Sequence, residues 1–214
     1  MADPGRDGTA YHFHTDRTAT FELPDRTVDV PRFGAVYAGG LAAVVEPAAS
    51  VVAATARAAA RHSLLVVDPN VREDRTLEAG RSTGLLRELC TAAHVVKASD
   101  EDLARLWPGR EPHASCRELA RGGRLVVMTR GARGSTAYTA AGAAVAVPAE
   151  PVEVVNTIGA GDAFMAGMLA WLAAESWRLD LPPDRAEAML GHASHIAASV
   201  CAQAGTEPVA PLPL

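Results

Sequence analysis

Asn156-Thr157-Ile158-Gly159-Ala160-Gly161-Asp162 runs directly into Ala163-Phe164-Met165-Ala166-Gly167-Met168-Leu169. The first part reads as a glycine-rich turn and the second as an apolar helix, predicted over Ala160 to Ala174. Glycines let a backbone approach an anion closely. The first N–H groups of a helix are unpaired and point outward, and the helix dipole adds partial positive charge there. Such a helix start can stabilise charge building on a transferred phosphoryl group. Asp162, in the first turn, is placed to accept a proton from an attacking hydroxyl. Phosphoryl transfer needs mainly positioning and charge stabilisation, so this small set of groups can suffice. The same residues also fit a plain tight turn with Asp162 as a helix-capping residue.

Outward from this turn, strands and helices alternate. Phe33 to Tyr37 is a short apolar run ending at Gly39-Gly40, and alanine-rich Glu46 to Arg61 is a helix. Leu64 to Asp68 is a buried strand closed by Pro69. Leu77 to Cys90 is a helix with Leu85, Leu86 and Leu89 on one stripe, followed by a strand at His94 to Lys97. Ser99 to Leu106 is a short helix with Ser99 at the N-cap and Asp102 at N3, a capping-box pattern. Ser115 to Arg121 reads as helix, Arg124 to Thr129 as strand, and Ser135 to Thr139 and Ala143 to Val147 as strands around Ala141-Gly142. Pro183 to Ala202 is the last helix, and Glu207 to Leu214 an irregular proline-rich tail. At the N-terminus, alternation in Ala10 to Asp16 and Arg17 to Leu23 predicts one or two strands after a Gly5-Arg6-Asp7-Gly8 turn. Alternating strands and helices predict an α/β fold with a mostly parallel central sheet covered on both faces. Ligands in such sheets sit beyond the carboxyl ends of the strands. No repeat, linker or second domain is visible.

Composition narrows the function. Of 214 residues, 49% are hydrophobic and 21% charged, and the formal net charge is −5. That balance is ordinary for a globular protein and implies no nucleic-acid partner. Arg117, Arg121 and Arg124 read as solvated positions. No apolar run approaches the roughly 18 residues of a membrane span, and the polar N-terminus carries no signal-peptide core. The three cysteines, Cys90, Cys116 and Cys201, are far apart and odd in number, which fits a reducing cytoplasm. Lys97 is the sole lysine of the chain. His12 and His14 share one face of a strand but lack a third ligand motif. His192 and His195, one turn apart, could line a pocket but fit surface or interface positions better. Trp171 and Trp177 read as packing residues.

Three further segments bear chemistry. Asp68-Pro69-Asn70-Val71-Arg72 follows a strand; Asn70 offers amide hydrogen bonds and Arg72 a fork suited to oxyanions, with a turn and a solvated arginine as the less favoured alternative. Val96-Lys97-Ala98-Ser99-Asp100-Glu101-Asp102 carries the lone lysine and could also be a capped acidic helix start. Val127-Met128-Thr129-Arg130-Gly131-Ala132-Arg133-Gly134-Ser135 is a glycine-bearing hairpin turn. No G-x-x-x-x-G-K-[ST] occurs, which excludes a Walker-type site.

Taken in order, these four segments resemble the ribokinase (PfkB) family of carbohydrate kinases, fructokinase-like branch. Asn156 to Asp162 is similar to the D-T-x-G-A-G-D signature, with Asn in the first place. Asp68 to Arg72 resembles its D-x-N-x-R, Val96 to Asp102 its K-x-N-x-x-E with Ser99 and Asp102 substituted, and Thr129 to Gly134 its T-x-G-x-x-G. Cys201 to Thr206 resembles the C-terminal Gly-Ala segment near the adenine. The resemblance implies Asp162 as catalytic base with Gly159, Ala160 and Gly161 as anion hole. It implies Asn70 and Arg72 near substrate or transferred phosphate, and Lys97, Thr129, Gly131, Gly134, Asn156 and Gly205 at the nucleotide. Asp102 would contact the metal, usually through water. ATP and Mg2+ are the implied cofactors, with a monovalent cation such as K+ near Asn156, and a small sugar is the implied substrate.

The resemblance further implies a three-layer ribokinase-like fold, one partial domain over 1–214 beginning among the lid strands. Residues of about 10–23 would be lid remnants and 33–206 the α/β core with the nucleotide site. The family's N-terminal third, with most sugar contacts, has no counterpart. An exposed sheet edge is therefore expected, to be covered by self-association or a partner. Two functions stay open: ATP-dependent phosphorylation of a sugar hydroxyl, or a catalytically weak nucleotide-binding remnant acting through a partner.

Overall fold

The computed structural model describes residues 2–5, 8–11, 19–72 and 79–206. Six strands form the central sheet in the order β3-β4-β5-β6-β7-β8: β3 Ala35–Gly39, β4 Leu64–Asp68, β5 Val95–Ser99, β6 Leu125–Thr129, β7 Ser135–Tyr138 and β8 Ala144–Val147. The first four run parallel and the last two return antiparallel. A separate antiparallel hairpin joins β1 (Ala2–Gly5) to β2 (Gly8–Tyr11). The helices are α1 Ala48–His62, α2 Ala79–Ala92, α3 Asp100–Leu106, α4 Pro112–Arg121, α5 Ala160–Ala174 and α6 Pro183–Cys201.

The pleat sorts the central strands into two cores. Leu65, Val67, Val96, Ala98, Val126 and Met128 face α1 to α4. Val66, Val95, Leu125 and Val127 face α5 and α6, against Phe164, Met165, Met168, Met189 and Leu190. Strands covered on both faces must be apolar throughout, which is why β4 and β6 are unbroken hydrophobic runs. Fully burying each large side chain contributes roughly 1.5–3 kcal/mol. Leu103 and Leu106, both fully buried, anchor the short α3 in this way. Trp171 and Trp177 pack against the second core, as their apolar surface requires. Arg185 stacks 4.9 Å over the Trp171 ring.

Local signals in the sequence match these elements closely from residue 33 onward. The capping box at Ser99 is complete: the Ser99 hydroxyl accepts from Asp102 N–H at 3.0 Å, and Asp102 Oδ2 accepts from Ser99 N–H at 3.0 Å. Two expectations need correction. Ala19–Phe21 is a single 3-10 turn rather than part of a strand over Arg17 to Leu23; Phe21 buries its ring there, and Pro24 follows. Short alternation cannot distinguish that arrangement from a strand. Arg124 is not solvated. Its guanidinium donates to the carbonyls of Leu119 and Thr91, so it caps the last turns of α4 and α2 where β6 begins. The region from His12 to Thr18, with His12 and His14, lies outside the described residues, as do Leu77 and the tail from Glu207. Among the described residues, no helix is long and apolar enough to cross a membrane.

His94 keys β5 into the sheet. Its Nδ1 accepts the Leu65 N–H at 3.0 Å, and its carbonyl accepts the Leu125 N–H. Burial, and then the charge of Arg124, hold this imidazole below the ordinary histidine range. The unfolded chain, with a histidine near pH 6.5, therefore binds the proton more readily than the folded one. The stabilising contribution is full above about pH 6.5 and is lost as pH falls from there towards the lowered folded value. Urea midpoints measured from pH 7.5 to 5 should fall on the acid side, and the fall should be smaller in His94→Gln.

Candidate active site

The carboxyl ends of β3 to β6 and the start of α5 meet at one place. Asp68 ends β4 and Lys97 lies in β5, both on the face that packs against α5 by the pleat rule. Lys97 Nζ donates to Asp68 Oδ2 at 2.7 Å, with side chains only 7% and 1% exposed. Burial pushes the Asp68 carboxyl up, against the downward pull of Lys97, and Asp102 adds to the push. Lys97 also reaches α5: a methyl group at Gly161 would sit 3.3 Å from Nζ. The ammonium of the one lysine in the chain is thus held beneath the helix start.

The turn itself is built by Gly159, which occupies the left-handed region at φ 84° as the N-cap of α5. Only glycine takes that conformation without penalty. Ala160 N–H donates to Thr157 O at 3.2 Å, and Ala163 N–H to Gly159 O at 2.8 Å. Among the described residues the N–H groups of Gly159, Gly161 and Asp162 have no partner, so of the Gly159–Gly161 trio expected from sequence only the Ala160 N–H is engaged. Asp162 is exposed and makes no hydrogen bond or ion pair among the described residues. A carboxylate capping the helix start would be bonded to backbone N–H, and Asp162 makes no such bond among the described residues.

A cleft of about 570 Å3 extends from this helix start. One wall is the β6–β7 turn with Thr129, Gly131 and Gly134; the floor carries Ala160, Gly161 and Phe164; Glu150 to Val154 and α6 close the far side. Gly134 has φ 81°, and a Cβ there would lie 2.1 Å from the Val147 carbonyl, so β8 passes directly behind the turn. The α6 wall consists of Ser194, Ala197, Ala198 and Cys201. Their i, i+3, i+4, i+7 spacing was the signal available in the sequence, but small residues carry no chemistry that marks a site. The Glu150 segment is tethered to α6 by Ser194 Oγ, which accepts Glu150 N–H at 3.1 Å, and by His195 Nδ1 at 3.0 Å from the Glu150 carboxylate. His195 is therefore a surface partner, and neither it nor His192 lines the cleft.

The other predicted residues occupy supporting positions outside the cleft lining. Asn156 Nδ2 donates to Ala204 O at 3.2 Å and its Oδ1 accepts Ile158 N–H at 3.0 Å. This clasps the loop carrying Gly205 against the glycine turn, where Thr206 lies near Gly159. Asp102 is 6% exposed. Its Oδ1 accepts Val71 N–H at 2.8 Å, and its Oδ2 accepts both Ser99 N–H and the Ser99 hydroxyl. Three of about four lone-pair sites are thereby used. Asn70 sits at φ 40°, with its N–H on Asp68 Oδ1 at 3.2 Å. The Asp102–Val71 bond fixes this loop, with Asn70 and Arg72, at the carboxyl edge of the sheet. Among the described residues no cluster of three or more His, Cys, Asp or Glu could hold a metal. All three cysteines are free; burial pushes the Cys116 thiol up to about 12.

Fold and site together define a three-layer, ribokinase-like α/β protein with a glycine-turn helix start beside a cleft at the carboxyl edge of its sheet. Residues 12–212 match the pfkB family carbohydrate kinases, and the chain belongs to that family. It is 32% identical over 170 residues to a fructokinase of Rhizobium leguminosarum bv. trifolii, an alignment covering 76% of this chain and 50% of the relative. The fructokinase from Vibrio cholerae O395, solved with fructose, ADP and calcium ion bound, superposes with a TM-score of 0.78 at 25% identity, over 95% of this chain and 66% of that one. An E. coli protein assigned as a ribokinase II, in complex with ATP and Mg2+, shares the fold with a TM-score of 0.78 at 20% identity, over 96% of this chain and 65% of that one. The chain spans about half the length of the curated relative it matches.

Removing the cation tests the site's scaffold. In Lys97→Met the Asp68 carboxylate is left buried without its partner, and stability should fall by about 3 kcal/mol in urea denaturation at pH 8. The deficit should shrink as the pH is lowered, because burial raises the Asp68 carboxyl and, without Lys97 to pull it down, favours its protonated form further. Lys97→Met combined with Asp68→Asn should recover part of the loss at pH 8.

Proposed function

We propose that this chain catalyses ATP-dependent phosphorylation of a sugar hydroxyl, with a fructokinase-like keto- or hexose sugar as acceptor. The observation that carries the reading is Asp162: an exposed carboxylate, bonded to nothing among the described residues, next in the chain to Gly161, which lines the cleft, with the N–H groups of both residues open. In this reading the nucleotide occupies the cleft, its phosphates along Thr129, Gly131 and Gly134 and its terminal phosphate at Gly161. Asp162 takes the proton from the acceptor hydroxyl. The freed oxygen forms a bond to the γ-phosphorus while the bond to the β–γ bridging oxygen breaks and ADP leaves. The N–H groups of Gly161 and Asp162, with the Lys97 ammonium beneath them, stabilise the charge that develops. Gly159 and Ala160 shape the hole, and Asn70 and Arg72 address the acceptor or the transferred phosphate.

The donor set fits a metal carried mainly by phosphate oxygens and water, as Mg2+ usually is in such sites. Asp102 keeps one lone-pair direction, enough for contact through a water. When bound, Mg2+ would neutralise phosphate charge. The relatives that bind fructose with ADP and ATP with Mg2+ support this assignment of ligand classes. A monovalent cation near the Asn156 clasp belongs to the same reading, as does a cytoplasmic setting with its free thiols.

The test is ADP release by the full chain with MgATP, K+ and a panel of hexoses, ketoses, pentoses and nucleosides. Turnover on one sugar, reduced roughly 10²- to 10⁴-fold in Asp162→Asn with MgATP binding retained, is the expected result. ATP binding without turnover on any acceptor would favour the remnant reading. An unchanged rate in Asp162→Asn would remove Asp162 from its role.

A further inference from the structure

Tyr37 is a large aromatic residue on β3, the edge strand beside β4, and it is 47% exposed. Its register partner is Val66, and that of Gly39 is Asp68. Val66 belongs to the core beneath α5, and Ala35 packs against the same core, whereas Val36 and Ala38 pack on the opposite face. The pleat therefore puts Tyr37 on the α5 side, one step before the row Gly39, Asp68 and Lys97. Gly39 contributes no side chain to that row: a Cβ there would lie 1.7 Å from the Asp68 carbonyl oxygen, so the β3 and β4 backbones close together at this level and Tyr37 is the last side chain of β3 on this face.

Two observations give the phenol a task. Its hydroxyl makes no hydrogen bond among the described residues, although the ring is half covered. Burial pushes the phenol up, and the Asp68 and Asp162 charges push it further. A phenol in that setting stays protonated across the physiological range and is available as a donor. A donor without a partner among the described residues, on the α5 face one register step before Asp68, matches a second oxygen on the alcohol that Asp162 is proposed to activate.

We infer that Tyr37 is an acceptor-binding residue, whose hydroxyl donates a hydrogen bond to a hydroxyl of the polyol substrate next to the one that Asp162 deprotonates. The inference rests on the kinase reading above. It places part of acceptor recognition on the sheet edge and names the ligand class as an alcohol with a neighbouring oxygen. The phosphate donor makes no contact with Tyr37.

Tyr37→Phe removes the hydroxyl and keeps the ring. With the sugar that the wild-type chain phosphorylates, the variant should show a rise of roughly 3- to 10-fold in sugar KM, the worth of one neutral hydrogen bond. The KM for ATP and the thermal midpoint should stay unchanged. One deoxy form of that sugar should show the same loss with the wild-type chain and no further loss with the variant. Wild-type turnover with unaltered sugar kinetics in Tyr37→Phe would overturn the inference and leave the kinase reading standing. Equal changes in both KM values, or a lowered thermal midpoint, would assign Tyr37 to the scaffold and overturn it too. A wild-type chain that turns over no acceptor would overturn the kinase reading and this inference with it.

Discussion

The Lys97 ammonium is held by the Asp68 carboxylate between the carboxyl ends of two parallel strands, almost wholly out of water. Two charges in that position each carry a desolvation cost of several kcal/mol, which their attraction offsets only with good geometry. The geometry is supplied by the sheet: β4 and β5 pair in parallel with Val66 opposite Val95, so Asp68 and Lys97 fall on adjacent strands, on one face, at one level. The pair adds little to stability compared with an apolar one of similar volume. Its effect is positional, because it fixes a cation under Gly161 at the start of α5.

The remaining site is arranged around that point. Asp102 ties the loop after β4 to the cap of α3, so the loop with Asn70 and Arg72 cannot drift from the sheet edge. The Asn156 clasp holds the C-terminal loop against the glycine turn. The β6–β7 turn and the Glu150 tether to α6 define the two walls of the cleft. None of these bonds involves Gly161 N–H, Asp162 N–H or the Asp162 carboxylate. Backbone and side-chain polar groups are bonded around the helix start and left open at its exposed residues Gly161 and Asp162, where a ligand has room to complete the hydrogen bonding.

Much of this was legible in the chain, for local reasons. β4 matches its predicted bounds, Leu64 to Asp68, because an unbroken apolar run ends at a proline. The Ser99 capping box and the bounds of α5 also follow from neighbours within a few residues. What escaped depends on distant partners. Asp68 and Lys97 are 29 residues apart, and their pairing follows only from strand register. Arg124 looks like any polar residue until the ends of α2 and α4 converge on it. The Ala160 N–H, assigned to the anion hole, closes the turn on Thr157 instead, and only the turn's actual geometry shows this. Tyr37 carries no motif; its significance comes from being an edge residue on the face where the carboxylates lie.

The central claim is that the cleft takes a nucleoside triphosphate whose terminal phosphate lies on the open N–H groups of Gly161 and Asp162. The most direct measurement is an amide NMR titration of the full chain with a non-hydrolysable ATP analogue and Mg2+. The account predicts the largest shifts at Gly131, Gly134, Gly161 and Asp162, with the Gly161 and Asp162 shifts diminished when ADP replaces the analogue. Saturable binding that leaves those four amides unmoved, or no binding at millimolar analogue, would contradict it.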